Sequence, residues 1–531
     1  MPDGQSPHFG NPRRRFAMPG RTRCIHLAFL VTTALPVYQP AYAQAVIGGD
    51  WRADVDAFAG RLVEMGGAPG IGLAIVQDDW VLHARGFGLA DMDAGRGVDT
   101  ETAFYIASTT KAITATAVIS LADRGLIDLN APITAYVPEL RFQPPLDADS
   151  VTVHDLLTMT HGIQQGLGPV VFRTAFTGDF TREQLVDALR DYGPSPTGRR
   201  FAYGNLGYNL LGMVLESTGS GSWKEIVRQE VLDPFGMDQT TGYVSRIPAE
   251  RIAQPHGFLP DGFERIPLGK ADANMHAAGG HFATARDLGR FVAVHLSGSA
   301  EGSGGTVPSR SALQSMQRQH VEQDRQFLSL HRFGWGYGWD LGTYEGETVV
   351  HRFGGFSGYH SHLSFMPRHG IGVVVLVNGG GPSAMTADLL ATYVYDRLLG
   401  KAGLEDAHAA HIDSTRERLD EARRGLAAHL AERKARLAPL SHPLAHYAGV
   451  YESPRFGRME WRVVANGLEV RMGVAWSRAE VFDASEDMLR AELAGGGNVV
   501  DFEFPPDGGP ASSVIIRTGP DTGEEFLRIG E

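Results

Sequence analysis

The stretch Ser108-Thr109-Thr110-Lys111 places a hydroxyl and an amine at a spacing that could do nucleophilic chemistry. The chain holds only five lysines (111, 224, 270, 401 and 434), so chance supplies about a quarter of one S-x-x-K match over its whole length. Apolar residues from Ile113 to Leu121 recur at helical spacing, and Gly125 can stop the run, which predicts Ser108 at or near a helix start. One turn on, Lys111 points the same way as Ser108. A serine hydroxyl is a poor nucleophile until something takes its proton. A lysine can take it only when burial or a neighbouring positive charge lowers the amine's pKa from roughly 10.4. The structural alternative is a helix-capping serine followed by a solvated lysine.

Chemistry of this kind needs a second proton carrier and donors for a developing oxyanion. Tyr203-Gly204-Asn205 offers a relay in Tyr203 and, in Asn205, a partner for Lys111 and for a substrate amide. Taken alone, the pair reads better as a structural tyrosine with a capping asparagine. Arg352-Phe353-Gly354-Gly355 enters the strand before Tyr359; its glycines allow a ligand close to the backbone, and a cation there could hold a substrate carboxylate and depress Lys111. A one-residue strand shift would present His351 instead of Arg352. His360 and His362 share a strand face but lack an assignable third ligand, so no metal site is assigned. Trp335, Tyr337 and Trp339 read as core in preference to pocket wall. G-x-S-x-G, P-loop and dinucleotide fingerprints are missing from the chain, and the reading requires no cofactor.

The ordered set Ser108-x-x-Lys111, Tyr203-x-Asn205 and the Gly354-Gly355 strand resembles the serine β-lactamase and penicillin-binding-protein superfamily. The likeness is to the branch with class C β-lactamases, D-alanyl-D-alanine carboxypeptidases, D-aminopeptidases and esterases. It runs over about residues 66–400 and takes in Pro69-Gly70, Leu156-Leu157-Thr158, Pro234-Phe235-Gly236-Met237 and Gly279-Gly280. The resemblance implies Ser108 as acylated nucleophile, Lys111 as base, Tyr203 as relay and Asn205 as a contact to Lys111 and substrate. It implies an oxyanion hole from the N–H groups of Ser108 and Gly355, with Arg352 at the position where relatives carry Lys or His. Arginine keeps the charge but cannot shuttle a proton. Met159 and His161 stand where relatives usually carry His and Ser, read here as variation at the pocket edge.

These residues need a scaffold, and the chain predicts an α/β (α+β) fold. Strands at 70–86 and 349–377 enclose a helical block at 152–300, so early and late strands share one antiparallel sheet flanked by helices. The expected division is a signal peptide at 1–43, a hydrolase domain at 50–400, a linker helix at 401–440 and a small all-β, barrel-like module at 441–531. That module, from Tyr447-Ala448-Gly449-Val450-Tyr451 onward, resembles a lipocalin-like domain. The first 43 residues combine Arg13-Arg14-Arg15, an apolar run from Ile25 to Val37 and an Ala41-Tyr42-Ala43 exit, the pattern of a cleaved export signal. Cys24, the one cysteine, lies inside it, so the mature chain would have no thiol.

With 531 residues and 43% hydrophobic content the chain can bury a large core, and a net charge of −13 gives no footprint for nucleic acid. The apolar leader run is too short to span a bilayer, and no later run is longer. The reading is therefore an exported, periplasmic or secreted serine hydrolase. It acts through a Ser108 acyl-enzyme on a small-molecule or peptide substrate: a D-amino-acid peptide, a β-lactam or a carboxylic ester. The alternative is a low-turnover penicillin-binding or ligand-sensing protein that keeps the fold.

Overall fold

Apolar residues from Ile71 to Val76 build a strand buried on both faces, and the architecture grows outward from it. In this computed structural model the described residues are 50–530, apart from 167, 220, 268, 301–306, 437–438, 466, 494–496 and 520–521. The export-signal expectation for residues 1–43 lies outside them. Among the described residues, no helix is long and apolar enough to cross a membrane.

The first large sheet has nine antiparallel strands, numbered here in chain order: β1 (Gly70–Gln77), β2 (Trp80–Asp91), β3 (Arg96–Gly97), β4 (Val321–Phe327), β5 (Leu330–Trp335), β6 (Asp340–Tyr344), β7 (Glu347–Phe356), β8 (Tyr359–Met366) and β9 (Ile371–Val377). Their order is β3-β2-β1-β9-β8-β7-β6-β5-β4, and β1 pairs with β9 from Ile71↔Val377 to Gln77↔Ile371. Early and late strands thus share one sheet, as the sequence predicts. The sequence reading starts its late strands at Val349 and misses β4, β5 and β6.

Alternate residues of β1 feed different cores. Ile71, Leu73 and Ile75 pack with the helices α1 (Trp51–Glu64) and α6 (Ser383–Leu398), and Ala74 and Val76 join the larger core of the helical block. At the centre of that block lies α2 (Thr110–Asp123), whose residues Thr110 to Leu121 are all buried. A helix apolar on every side has to lie inside the fold. Around it stand α3 (Pro169–Phe172), α4 (Leu206–Glu216) and α5 (Ala285–Ser297).

Helix α7 (Leu404–Ala435) follows, held by buried Leu419 and by His408, whose Nε2 is 3.1 Å from Asp396 Oδ2. Beyond it, nine further antiparallel strands between Gly449 and Arg528 form a nearly closed barrel-like sheet, the all-β module expected. Phe172 of α3 enters the core of this barrel beside Phe456 (ring centroids 5.5 Å), and Phe176 stacks on Phe356 at the end of β7 (6.0 Å).

Candidate active site

The turn Ala107–Thr109 leads into α2 and holds Ser108 against the end of β7. Three contacts fix it there. Ser361 Oγ on β8 donates to the Ile106 carbonyl (2.9 Å), Thr109 Oγ1 lies 2.8 Å from Ser361 Oγ, and Ile106 N–H donates to His281 O (3.0 Å). Strand and turn approach so closely that a Cβ on Gly354 would lie 2.5 Å from Ser361 Oγ and nearer still to Ile106 O. The glycine is required by this contact, whatever ligand is bound.

Lys111, one turn along α2, is wholly buried and has no carboxylate partner among the described residues. Its Nζ lies 2.9 Å from Ser108 Oγ, 2.7 Å from Asn205 Oδ1 and 2.8 Å from Ala278 O. Two of these three are acceptors only, and a neutral amine has two N–H groups. Its lone pair then faces the Ser108 hydroxyl. Burial lowers the Lys111 pKa from 10.5 to about 8; the Arg352 guanidinium adds to this and Tyr203 works against it.

Tyr203 shows the outer edge of its ring to solvent (38%) while its hydroxyl points inward, where Arg352 Nη2 donates to it at 2.8 Å. Burial alone would raise this phenol. The charges of Arg352 and Lys111 and a hydrogen bond with Ser108 outweigh it and bring the pKa below the ordinary value. Arg352 is itself buried: its Nη1 donates to Asp340 Oδ2 at 2.9 Å, and the Asp340 side chain is 1% exposed. The expectation of a free cation waiting for a substrate carboxylate at Arg352 therefore needs correcting, because both ends of its fork are engaged by the protein.

His351 is corrected as well. Strand register pairs His351 with Asp340 and Ser364, and its ring packs on Phe353 (centroids 4.7 Å), away from Tyr203. It is fully buried, and neither ring nitrogen has a hydrogen-bond partner among the described residues. The alternation of a strand puts Arg352 and Gly354 on the Ser108 face and His351 on the other. Met159 and His161 are buried behind the Tyr203 run and do not line the cavity at Ser108; His161 Nε2 is 2.8 Å from Gln165 Nε2. Trp335 and Trp339 are wholly buried and Tyr337 nearly so, with Trp335 edge-on to Tyr203 (6.0 Å).

Ser108, Tyr203, Arg352, Gly354 and Gly355 border one cavity of about 360 Å³. The outer edge of β7 has no strand partner there among the described residues: β6 pairs with it only as far as the Asp340↔His351 pair, and beyond that point the Arg352 side chain donates to the Phe353 carbonyl (Nη2, 3.1 Å). Gly355 is exposed on that edge. Sequence reasoning missed Asp340 and the Ala278 carbonyl, neither of which belongs to a local motif. Among the described residues, no group of three or more His, Cys, Asp or Glu side chains is arranged to hold a metal ion.

Fold and site define a class of serine-hydrolase-like folds, in which an antiparallel sheet packs against a Ser-x-x-Lys turn at the start of a buried helix. Within that class the chain belongs to the beta-lactamase family, whose model, described as Beta-lactamase, matches residues 55–394. Penicillin-binding protein 4 of Amycolatopsis lactamdurans is 30% identical over 326 residues, 60% of this chain and 84% of that protein. Protein flp of Staphylococcus aureus (strain MW2) is 23% identical over 334 residues, 62% of this chain and 63% of its own length. Among solved structures, the octameric penicillin-binding protein homologue from Pyrococcus abyssi superposes with a TM-score of 0.56 at 21% identity, over 90% of this chain and all of that one. The D-amino acid amidase from Ochrobactrum anthropi SV3 gives a TM-score of 0.54 at 22% identity, over 66% of this chain and 98% of that one. At these identities the two structures attest the fold.

Proposed function

We propose that the protein is an exported serine hydrolase that cleaves amide or ester bonds through an acyl-enzyme on Ser108. The observation that carries this reading is the buried Lys111 amine 2.9 Å from Ser108 Oγ, with acceptors already taking two N–H groups. Ser108 Oγ attacks the substrate carbonyl carbon as its proton passes to Lys111 Nζ. The N–H groups of Ser108 and Gly355 receive the oxyanion. Tyr203 then delivers the proton to the leaving nitrogen or oxygen, the bond to the carbonyl breaks, and Lys111 restores the phenol. A water molecule attacks the ester by the reverse path, releases the acid and regenerates the serine.

Arg352 is a positioning residue here: it holds the Tyr203 hydroxyl and keeps its pKa low, and Asp340 compensates its charge. Substrates with D-amino-acid amide, penicillin-like or simple ester bonds suit a site of this chemistry. Amidase and penicillin-binding proteins among the relatives support the first two. The test is intact-mass analysis after a fluorescent penicillin and a fluorophosphonate, then hydrolysis of nitrocefin, p-nitrophenyl butyrate and D-alanine p-nitroanilide. An adduct on the wild type that is lost in Ser108→Ala, with turnover of at least one chromogenic substrate, is the expected result. An adduct without turnover of any substrate would favour a low-turnover penicillin-binding protein, and no adduct with either reagent would overturn the acyl-enzyme reading.

A further inference from the structure

The cavity beside Ser108 does not end at the nucleophile. It continues past the open edge of β7 into a chamber lined by Phe327, Leu328, Phe353, Ala384 and Ala387, on the face of the sheet away from α2. Arg332 of β5 lines this chamber with its side chain 4% exposed. Its guanidinium lies over Phe327 (3.9 Å to the ring centroid) and 5.6 Å from the centroid of Phe353. The Nε of Arg332 pairs with Asp340 Oδ1 (3.4 Å), whereas neither Nη of the guanidinium makes a hydrogen bond with a described residue. That carboxylate is shared: it also bonds Arg352 and stands 3.7 Å from Arg325 Nη2.

A buried guanidinium with unmet donors is costly to keep unless something fills them. The charges agree: three arginines (325, 332 and 352) border the cavity and share one aspartate, in a chain whose net charge is −13. The histidines beside them add no positive charge near neutrality, since burial lowers His360 to about 4 and His362 to about 3. Tyr203, the group placed to protonate the departing atom, and Arg352, which holds it, border the same cavity as Arg332. Arg352 and Arg332 also share Asp340, which sets the chamber beside the Tyr203–Arg352 pair, the side from which the leaving group is protonated.

We infer that the chamber is a leaving-group subsite for substrates whose departing part has an apolar body ending in a carboxylate, with the guanidinium of Arg332 receiving that carboxylate. Two flanking aromatic rings suit a flat or apolar body, and a planar guanidinium matches a carboxylate in a two-point bond. The inference rests on the acyl-enzyme reading above.

The test uses two acetyl esters that differ only in the leaving group's charge, 5-acetoxy-2-nitrobenzoate and 5-acetoxy-2-nitrobenzamide. Wild type is expected to favour the carboxylate by at least tenfold in kcat/KM, and Arg332→Gln to lower that ratio at least tenfold, with Arg332→Lys between them. The ratio is the readout because damage to fold or catalysis lowers both members together. A wild-type ratio near one, or a ratio unchanged in Arg332→Gln, overturns the subsite. Calorimetric binding of 5-hydroxy-2-nitrobenzoate to Ser108→Ala, with and without Arg332→Gln, tests the subsite without turnover. Binding lost with Arg332 supports it even if neither ester is cleaved, which would be a failure of the acyl-enzyme reading alone. Absence of binding to Ser108→Ala, or binding indifferent to Arg332, overturns it.

Discussion

Asn205→Asp is an almost isosteric change that puts a carboxylate where the amide oxygen now lies 2.7 Å from Lys111 Nζ. Coulomb's law at an effective dielectric constant of about 20 gives about 6 kcal/mol for a unit pair at that distance. Lowering Lys111 from 10.5 to about 8 corresponds to about 3 kcal/mol, so the new charge outweighs burial and restores an ordinary or higher pKa. At pH 7 the neutral amine falls from about one molecule in eleven to about one in three thousand, roughly a 300-fold loss. The assay is kcat/KM for the best chromogenic substrate from pH 5.5 to 9.5. Wild type should rise tenfold per pH unit and level off near pH 8, because Lys111 acts when deprotonated. Asn205→Asp should still be rising at pH 9.5. Asn205 also faces the substrate, so a drop at pH 7 alone proves little. A loss by the same factor at every pH, with the levelling still near 8, would refute Lys111 as the base.

Asp340→Asn leaves three arginines around a neutral side chain and should cost about 3–5 kcal/mol, seen as a clear fall in melting temperature. Gly354→Ala forces a methyl group onto Ile106 O and Ser361 Oγ, so acylation should drop sharply, with about 1–3 kcal/mol of stability. An alanine variant with wild-type acylation would show that the Ser108 turn tolerates displacement. Ser108→Ala should abolish the adduct while melting within about 1 °C of wild type, since a half-buried hydroxyl is all that is removed.

The parts of the site that lie within a few residues of each other were legible in the chain. Ser108 and Lys111 are one helical turn apart, Tyr203 and Asn205 flank a single glycine, and Gly354 announces a close approach of backbone. The core strands were legible too, because β1 and β9 are apolar runs and β8 carries Tyr359, Leu363, Phe365 and Met366 among its polar residues. Strand β4 was not: Val-Glu-Gln-Asp-Arg-Gln-Phe is an exposed edge strand with no apolar alternation. Losing β4 to β6 also hid Asp340, whose meaning comes from the ion pair with Arg352 that the β6–β7 pairing brings together. Without Asp340 the charge of Arg352 looks free, and without β5 the position of Arg332 cannot be inferred. The choice between His351 and Arg352 needed the register itself, since a strand shifted by one residue exchanges its two faces.

The chemistry turns on an amine of lowered pKa beside a hydroxyl, and the scarcity of lysines makes that directly measurable. With ¹³Cε-lysine labelling the chain gives at most five lysine signals, and the Lys111 signal is the one missing from Lys111→Met. Lys270, which burial lowers to about 7, provides an internal comparison. The Lys111 signal is expected to titrate with a midpoint about 8; a midpoint at the ordinary lysine value near 10.5 would contradict Lys111 as the base.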